Sequence, residues 1–120
     1  MINKQDFINA INQDIEIVKG DTLAFNFQLQ GLDGSEPTFA LTVKEHPDDD
    51  ILFSAELGDG IELDNYDEVK DLATYTVHIT PAKTKSLDLA RYYYDLEMQV
   101  NGDVLTLMRG RFTLLYEVSK

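Results

Sequence analysis

A hydrophobic period of two that keeps restarting constrains this chain more than any other feature. Leu23, Phe25, Phe27 and Leu29 alternate with Ala24, Asn26 and Gln28, the pattern of a strand with one face buried and the other wet. Phe39, Leu41 and Val43 alternate in the same way, as do Tyr75, Val77 and Ile79, and then Tyr92, Tyr94, Leu96, Met98 and Val100. Shorter strands are predicted around Leu52–Leu57 and Gly60–Leu63. Turn chemistry punctuates them: Gly31 to Pro37, His46-Pro47-Asp48-Asp49-Asp50, and Gly58-Asp59-Gly60. Asn65 to Leu72 reads as an acidic loop. Asn101-Gly102 is a hairpin turn, since both positions of a tight primed turn need positive φ. The return strand runs from Val104 through Met108 into Phe112, Leu114, Tyr116 and Val118, with Gly110 predicted as a bulge or bend. Seven or eight strands spaced about 8–12 residues apart predict an all-β, antiparallel sandwich or barrel.

Helix has little room. Thr80 and Pro81 suit an N-cap and first helical position, predicting one short turn over Pro81–Leu87. Asp6 to Ile15 places Phe7, Ile8, Ile11 and Ile15 on one face of a short N-terminal helical segment. Residues 1–14 are therefore expected to be a capping helix or an arm that docks on a neighbour through Phe7, Ile8 and Ile11. Residues 15–120 form a single β-sandwich domain.

Composition removes several functions. The 120 residues carry 22 Asp and Glu against 10 Lys and Arg, a net charge of −12, so no nucleic acid and no anionic membrane is expected as partner. With no cysteine there is no disulfide, thiol nucleophile or thiolate zinc site. Met1–Gly20 lacks the apolar core of a signal peptide, and no run is long enough to span a bilayer. His46 and His78 fall on different elements, and Ser35, Ser54, Ser86 and Ser119 lack a nucleophile-elbow context. No phosphate loop is present, because Gly58-Asp59-Gly60 has no following lysine and helix. The chain is expected to be no enzyme and to carry no cofactor. The weak calcium candidates are Asp48, Asp49, Asp50, Asp59 and Asp64, oxygen donors without the spacing of a known calcium loop. Tyr66, Tyr93 and Tyr116 are candidates for outward-facing rings in a sugar site or an interface. Tyr93 is expected on the face opposite Tyr92 and Tyr94.

Two resemblances extend this reading. Asp88, Ala90 and Tyr92, in the run L-D-L-A-R-Y-Y-Y-D-L-E-M-Q-V, are spaced as in the immunoglobulin tyrosine corner, where a tyrosine near a strand start ties its hydroxyl to upstream backbone. That resemblance implies an immunoglobulin-like sandwich with Tyr94 where an antibody domain keeps its second cysteine. The second rests on Gly20-Asp21-Thr22 before the first long strand and on Tyr92, Tyr94-Asp95-Leu96, Gly102, Thr106-Leu107, Gly110 and Phe112 at the close. Over about Ile15 to Ser119 the chain is similar to small β domains of phage tails and baseplates, notably the N-terminal domain of the upper baseplate protein family. It implies a virion structural role, made in the host cytoplasm and assembled into the particle. Expected partners are other phage structural proteins, or further copies in a homo-oligomer. A carbohydrate-binding or adhesion module is the alternative.

Overall fold

The computed structural model describes residues 11–88 and 90–116. Nine strands account for most of them: β1 (Ile11–Asn12), β2 (Ile15–Val18), β3 (Leu23–Gln30), β4 (Thr38–Lys44), β5 (Phe53–Leu57), β6 (Gly60–Asp67), β7 (Leu72–Ile79), β8 (Arg91–Val100) and β9 (Asp103–Leu115). One helical turn, α1, covers Pro81–Thr84. It stops short of the expected Leu87, and the Thr80 side chain makes no cap bond.

The ladder runs β1-β9-β8-β4-β5-β6-β7-β3, with β2 also on β9. Only two residue pairs, Glu56–Gly60 and Leu57–Ile61, join β5 to β6. There the ladder turns a corner, and β6-β7-β3 packs face to face against β2-β9-β8-β4-β5. Phe39 of β4 meets Phe27 of β3 at 5.2 Å and Tyr75 of β7 at 4.6 Å between ring centroids, edge-on geometries that ring quadrupoles favour. Strand order in both layers is that of an immunoglobulin-like sandwich: the F and G equivalents beside C and C′ in one sheet, B, E and D in the other.

The period of two places the core. Leu41, Val43, Ile61, Val77, Ile79, Leu96, Met98 and Phe112 are all fully buried, on the inward faces of β4, β6, β7, β8 and β9. Asn101 and Gly102 have φ of 52° and 82°, the primed turn their dipeptide demands, and they close the β8–β9 hairpin on the pair Val100–Asp103.

Four expectations are corrected. Ile11 and Asn12 are not helical; they pair with Met108 and Arg109, and β2 continues in parallel register from Ile15–Phe112 to Val18–Leu115. Spacings of three and four in this short stretch coincided with two strand fragments separated by Gln13-Asp14. Phe7 and Ile8 lie outside the described residues. The sandwich is thus not wholly antiparallel, since the β1/β2 edge and the β5–β6 link are parallel. Asn65–Asp67 belongs to β6 rather than a loop, because Asp64 is a bulge that resets the register and lets pairing with β7 resume at Asn65–Thr74. Finally, the β9 bulge sits at Leu107, between the pairs Leu96–Met108 and Glu97–Thr106. Gly110 pairs with Tyr94 instead, and its missing side chain serves another purpose.

Candidate interaction site

On β8 the outward residues alternate with the core: Tyr92, Tyr94 and Leu96 point in, so Arg91, Tyr93, Asp95 and Glu97 point out. Register then fixes their neighbours. Tyr93 lies between Lys44 of β4 and Arg111 of β9; Asp95 lies between Thr42 and Arg109. Paired residues in adjacent strands stand about 4.5–5.5 Å apart, so these form two rows across one sheet face. Arg91, Arg109 and Arg111 are the chain's three arginines, and all are exposed there. In a chain of net charge −12, this is a local reversal of sign.

A cleft of about 420 Å³ opens on these rows, lined by Asn12, Asp14, Lys44, Tyr93, Arg109 and Arg111 among others. Both of its carboxylates are engaged. The Thr42 hydroxyl donates to Asp95 Oδ1 at 3.1 Å, and the Arg111 backbone N–H donates to Asp14 Oδ1 at 2.9 Å. Arg109 Nε donates to Asn12 Oδ1 at 3.2 Å and Lys44 Nζ to the Pro47 carbonyl at 3.5 Å. Among the described residues none of Lys44, Arg109 and Arg111 forms an ion pair. Three cationic heads therefore face the cleft with their charge uncompensated by contact.

Gly110 and Tyr94 also line the cleft. A Cβ at position 110 would lie 2.8 Å from the Gln13 carbonyl carbon and 2.9 Å from Asp14 Oδ1, so glycine lets the link between β1 and β2 run close alongside β9. The Tyr94 hydroxyl donates to the Gln13 carbonyl oxygen in that link. Burial, with the Asp14 charge adding to it, pushes the Tyr94 phenol up to about 12 from 10.0. The folded state thus holds this proton more tightly than the unfolded chain. Its stabilisation is complete below pH 10 and is lost as pH rises through 12. Tyr94→Phe is expected to cost about 1 kcal/mol at neutral pH, by removing one part-buried hydrogen bond. The variant should also lose less melting temperature between pH 10 and 12 than the parent. Thermal melts across that window check it, and parallel slopes in the two proteins would contradict it.

The other expected site residues are dispersed. Tyr92 is buried at the second position of β8, and Asp88 is exposed in the connection before it. Tyr66 donates to Asp71 Oδ1 at 2.7 Å, a bond that raises its pKa, so it braces the β6–β7 turn. Tyr116 is 76% exposed beyond β9. Of the calcium candidates, Asp59 faces Lys83 Nζ at 3.3 Å, Asp64 is the β6 bulge, and Asp48–Asp50 form an exposed turn. Among the described residues no three His, Asp or Glu side chains come together as a metal site. Nor is any described helix long and apolar enough to cross a membrane. Of the described candidates for partner contact, Tyr93 alone lines the cleft. Lys44, Arg109 and Arg111 were missed in the sequence, where cations scattered over three strands give no local signal. Clustering of every arginine on two neighbouring strands was the available clue.

The fold and site place the chain in the class of small immunoglobulin-like β sandwiches with a basic, aromatic sheet face. No family model matches it and no curated relative does. A solved structure described as "Structure-based site-directed photo-crosslinking analyses of multimeric cell-adhesive interactions of VGSC beta subunits" is 11% identical, over 87% of this chain and 92% of that one, with a TM-score of 0.39. A likeness that distant carries no functional argument.

Proposed function

We propose that this chain is a non-enzymatic structural module of a phage tail or baseplate, working by protein–protein contact. The observation that carries the contact reading is the outward face of β4, β8 and β9. It gathers Tyr93 and all three arginines, the residue types that anchor protein interfaces. The phage setting rests on the sequence resemblance. Proteins of this kind act through shape and register, and a rigid two-sheet core suits that task.

Purified particles of the phage or prophage whose genome carries this gene should contain the chain in stoichiometric amount. A photoreactive residue at position 93 should crosslink it to another virion protein, whereas one at Gln28, on the opposite sheet, should not. Absence from purified particles would overturn the reading.

A further inference from the structure

We infer that the partner presents carboxylates at alternate residues of an extended segment, and that these seat in the cleft on Arg109, Arg111 and Lys44 beside Tyr93. This deepens the contact reading above by naming the chemistry that the face recognises. Charge complementarity decides it. A protein of net charge −12 repels acidic partners at long range, yet this face offers three cations without ion-pair partners among the described residues. Guanidinium groups bind carboxylates bidentately, and such charge-assisted bonds are about twice as strong as neutral ones.

Spacing narrows the ligand further. Arg109 and Arg111 are two apart on one strand, about 6.6–6.8 Å along it. Carboxylates at i and i+2 of an extended segment repeat at the same distance. Lys44 lies two strands away across Tyr93, in the same cross-strand row as Arg111, and adds a third cation beside the pair. Tyr93 is 38% exposed, and the His46 ring lies 6.5 Å from its own, tilted by 43°. With His46 beside it and cations on both sides, the ring is placed to pack against a partner chain rather than to serve as an open stacking platform for a sugar. Asp14 and Asp95 keep their negative charge, since their bonded donors are neutral, so the cleft's three cations outnumber its carboxylates by one.

The test uses the whole chain and a synthetic peptide, acetyl-Glu-Thr-Glu-Thr-Glu-amide, with its Gln-Thr-Gln-Thr-Gln counterpart and glucuronate as comparisons. Titration followed by amide chemical shifts should move Tyr93, Asp95 and Arg109–Arg111 with the acidic peptide and not with the glutamine one. Affinity should fall as salt rises from low ionic strength. Arg111→Gln should weaken binding about tenfold, and its exposed side chain leaves the fold intact, which an unchanged melting temperature confirms. Lys44→Gln is the second variant and should weaken binding in the same direction. Equal response to the two peptides, tighter binding of glucuronate than of the peptide, or affinity unmoved by both variants would overturn the inference. The particle experiment separates the two claims. A chain present in virions and crosslinked through position 93, but indifferent to Arg111→Gln and to salt, keeps the structural role and loses the acidic partner.

Discussion

Replacing Phe112 with alanine is expected to cost about 3–5 kcal/mol of unfolding free energy, the range for truncating a buried aromatic. Phe112 is fully buried, pairs with Tyr92 on one side and Ile15 on the other, and meets the Phe53 ring edge-on at 5.9 Å. It is therefore where the parallel edge, the β8–β9 hairpin and β5 share one side chain. A void there cannot collapse easily, since three elements would have to shift together. Small domains are stable by only about 5–15 kcal/mol, so the variant should sit near the limit of folding at physiological temperature. Urea unfolding checks it, with the midpoint falling and the slope unchanged. A loss below about 1 kcal/mol would show that the site repacks.

Gly110→Val tests the tertiary constraint in isolation. Valine is among the best strand formers, so local propensity alone predicts a neutral or stabilising change. The structure predicts the reverse. The added Cβ would meet the backbone of Gln13 at 2.8 Å and Asp14 Oδ1 at 2.9 Å, and backbone cannot swing aside as a flexible side chain can. The expected cost is about 1–3 kcal/mol, typical of overpacking. It should be accompanied by loss of the bonds from Gln13 N–H to the Arg109 carbonyl and from Arg111 N–H to Asp14. Amide exchange at Glu16 to Val18 should then accelerate more than at Leu96 to Val100, because the parallel edge is released while the hairpin stays. Uniform acceleration would mean instead that the β1–β2 edge and the hairpin unfold as one unit.

How much was legible in the chain follows from which interactions are local. Alternation from Leu23 to Leu29, from Phe39 to Val43, from Tyr75 to Ile79 and from Tyr92 to Val100 revealed β3, β4, β7 and β8 with their inward faces, because the pleat has a period of two and burial acts on each strand by itself. Asn101-Gly102 revealed its hairpin because positive φ at two successive residues is a property of that dipeptide. Tyr93 was identified as outward for the same reason of parity. The β1/β2 edge was not legible: parallel pairing between Ile15 and Phe112 joins residues 97 positions apart, and no sequence period encodes it. A run of six residues also fits helix and strand about equally well.

The sequence by itself determined an all-β sandwich, its core faces, its closing hairpin and its acidic surface, all consequences of local backbone preference and of burying one side of each strand. Only the tertiary structure decided where the interaction site lies. Continuing the hairpin register without interruption would set Gly110 opposite Tyr93 and turn Arg109 and Arg111 toward the inward side. The bulge at Leu107 adds one residue to β9, and a shift of one residue exchanges the two faces of a strand. Phe112 and Leu114 thereby enter the core, while Arg109 and Arg111 come out beside Tyr93 and Lys44. Packing against the parallel edge fixes that shift, with Gly110 making room for the close approach of Gln13. The basic face of this acidic protein is thus a product of register, which no single strand contains.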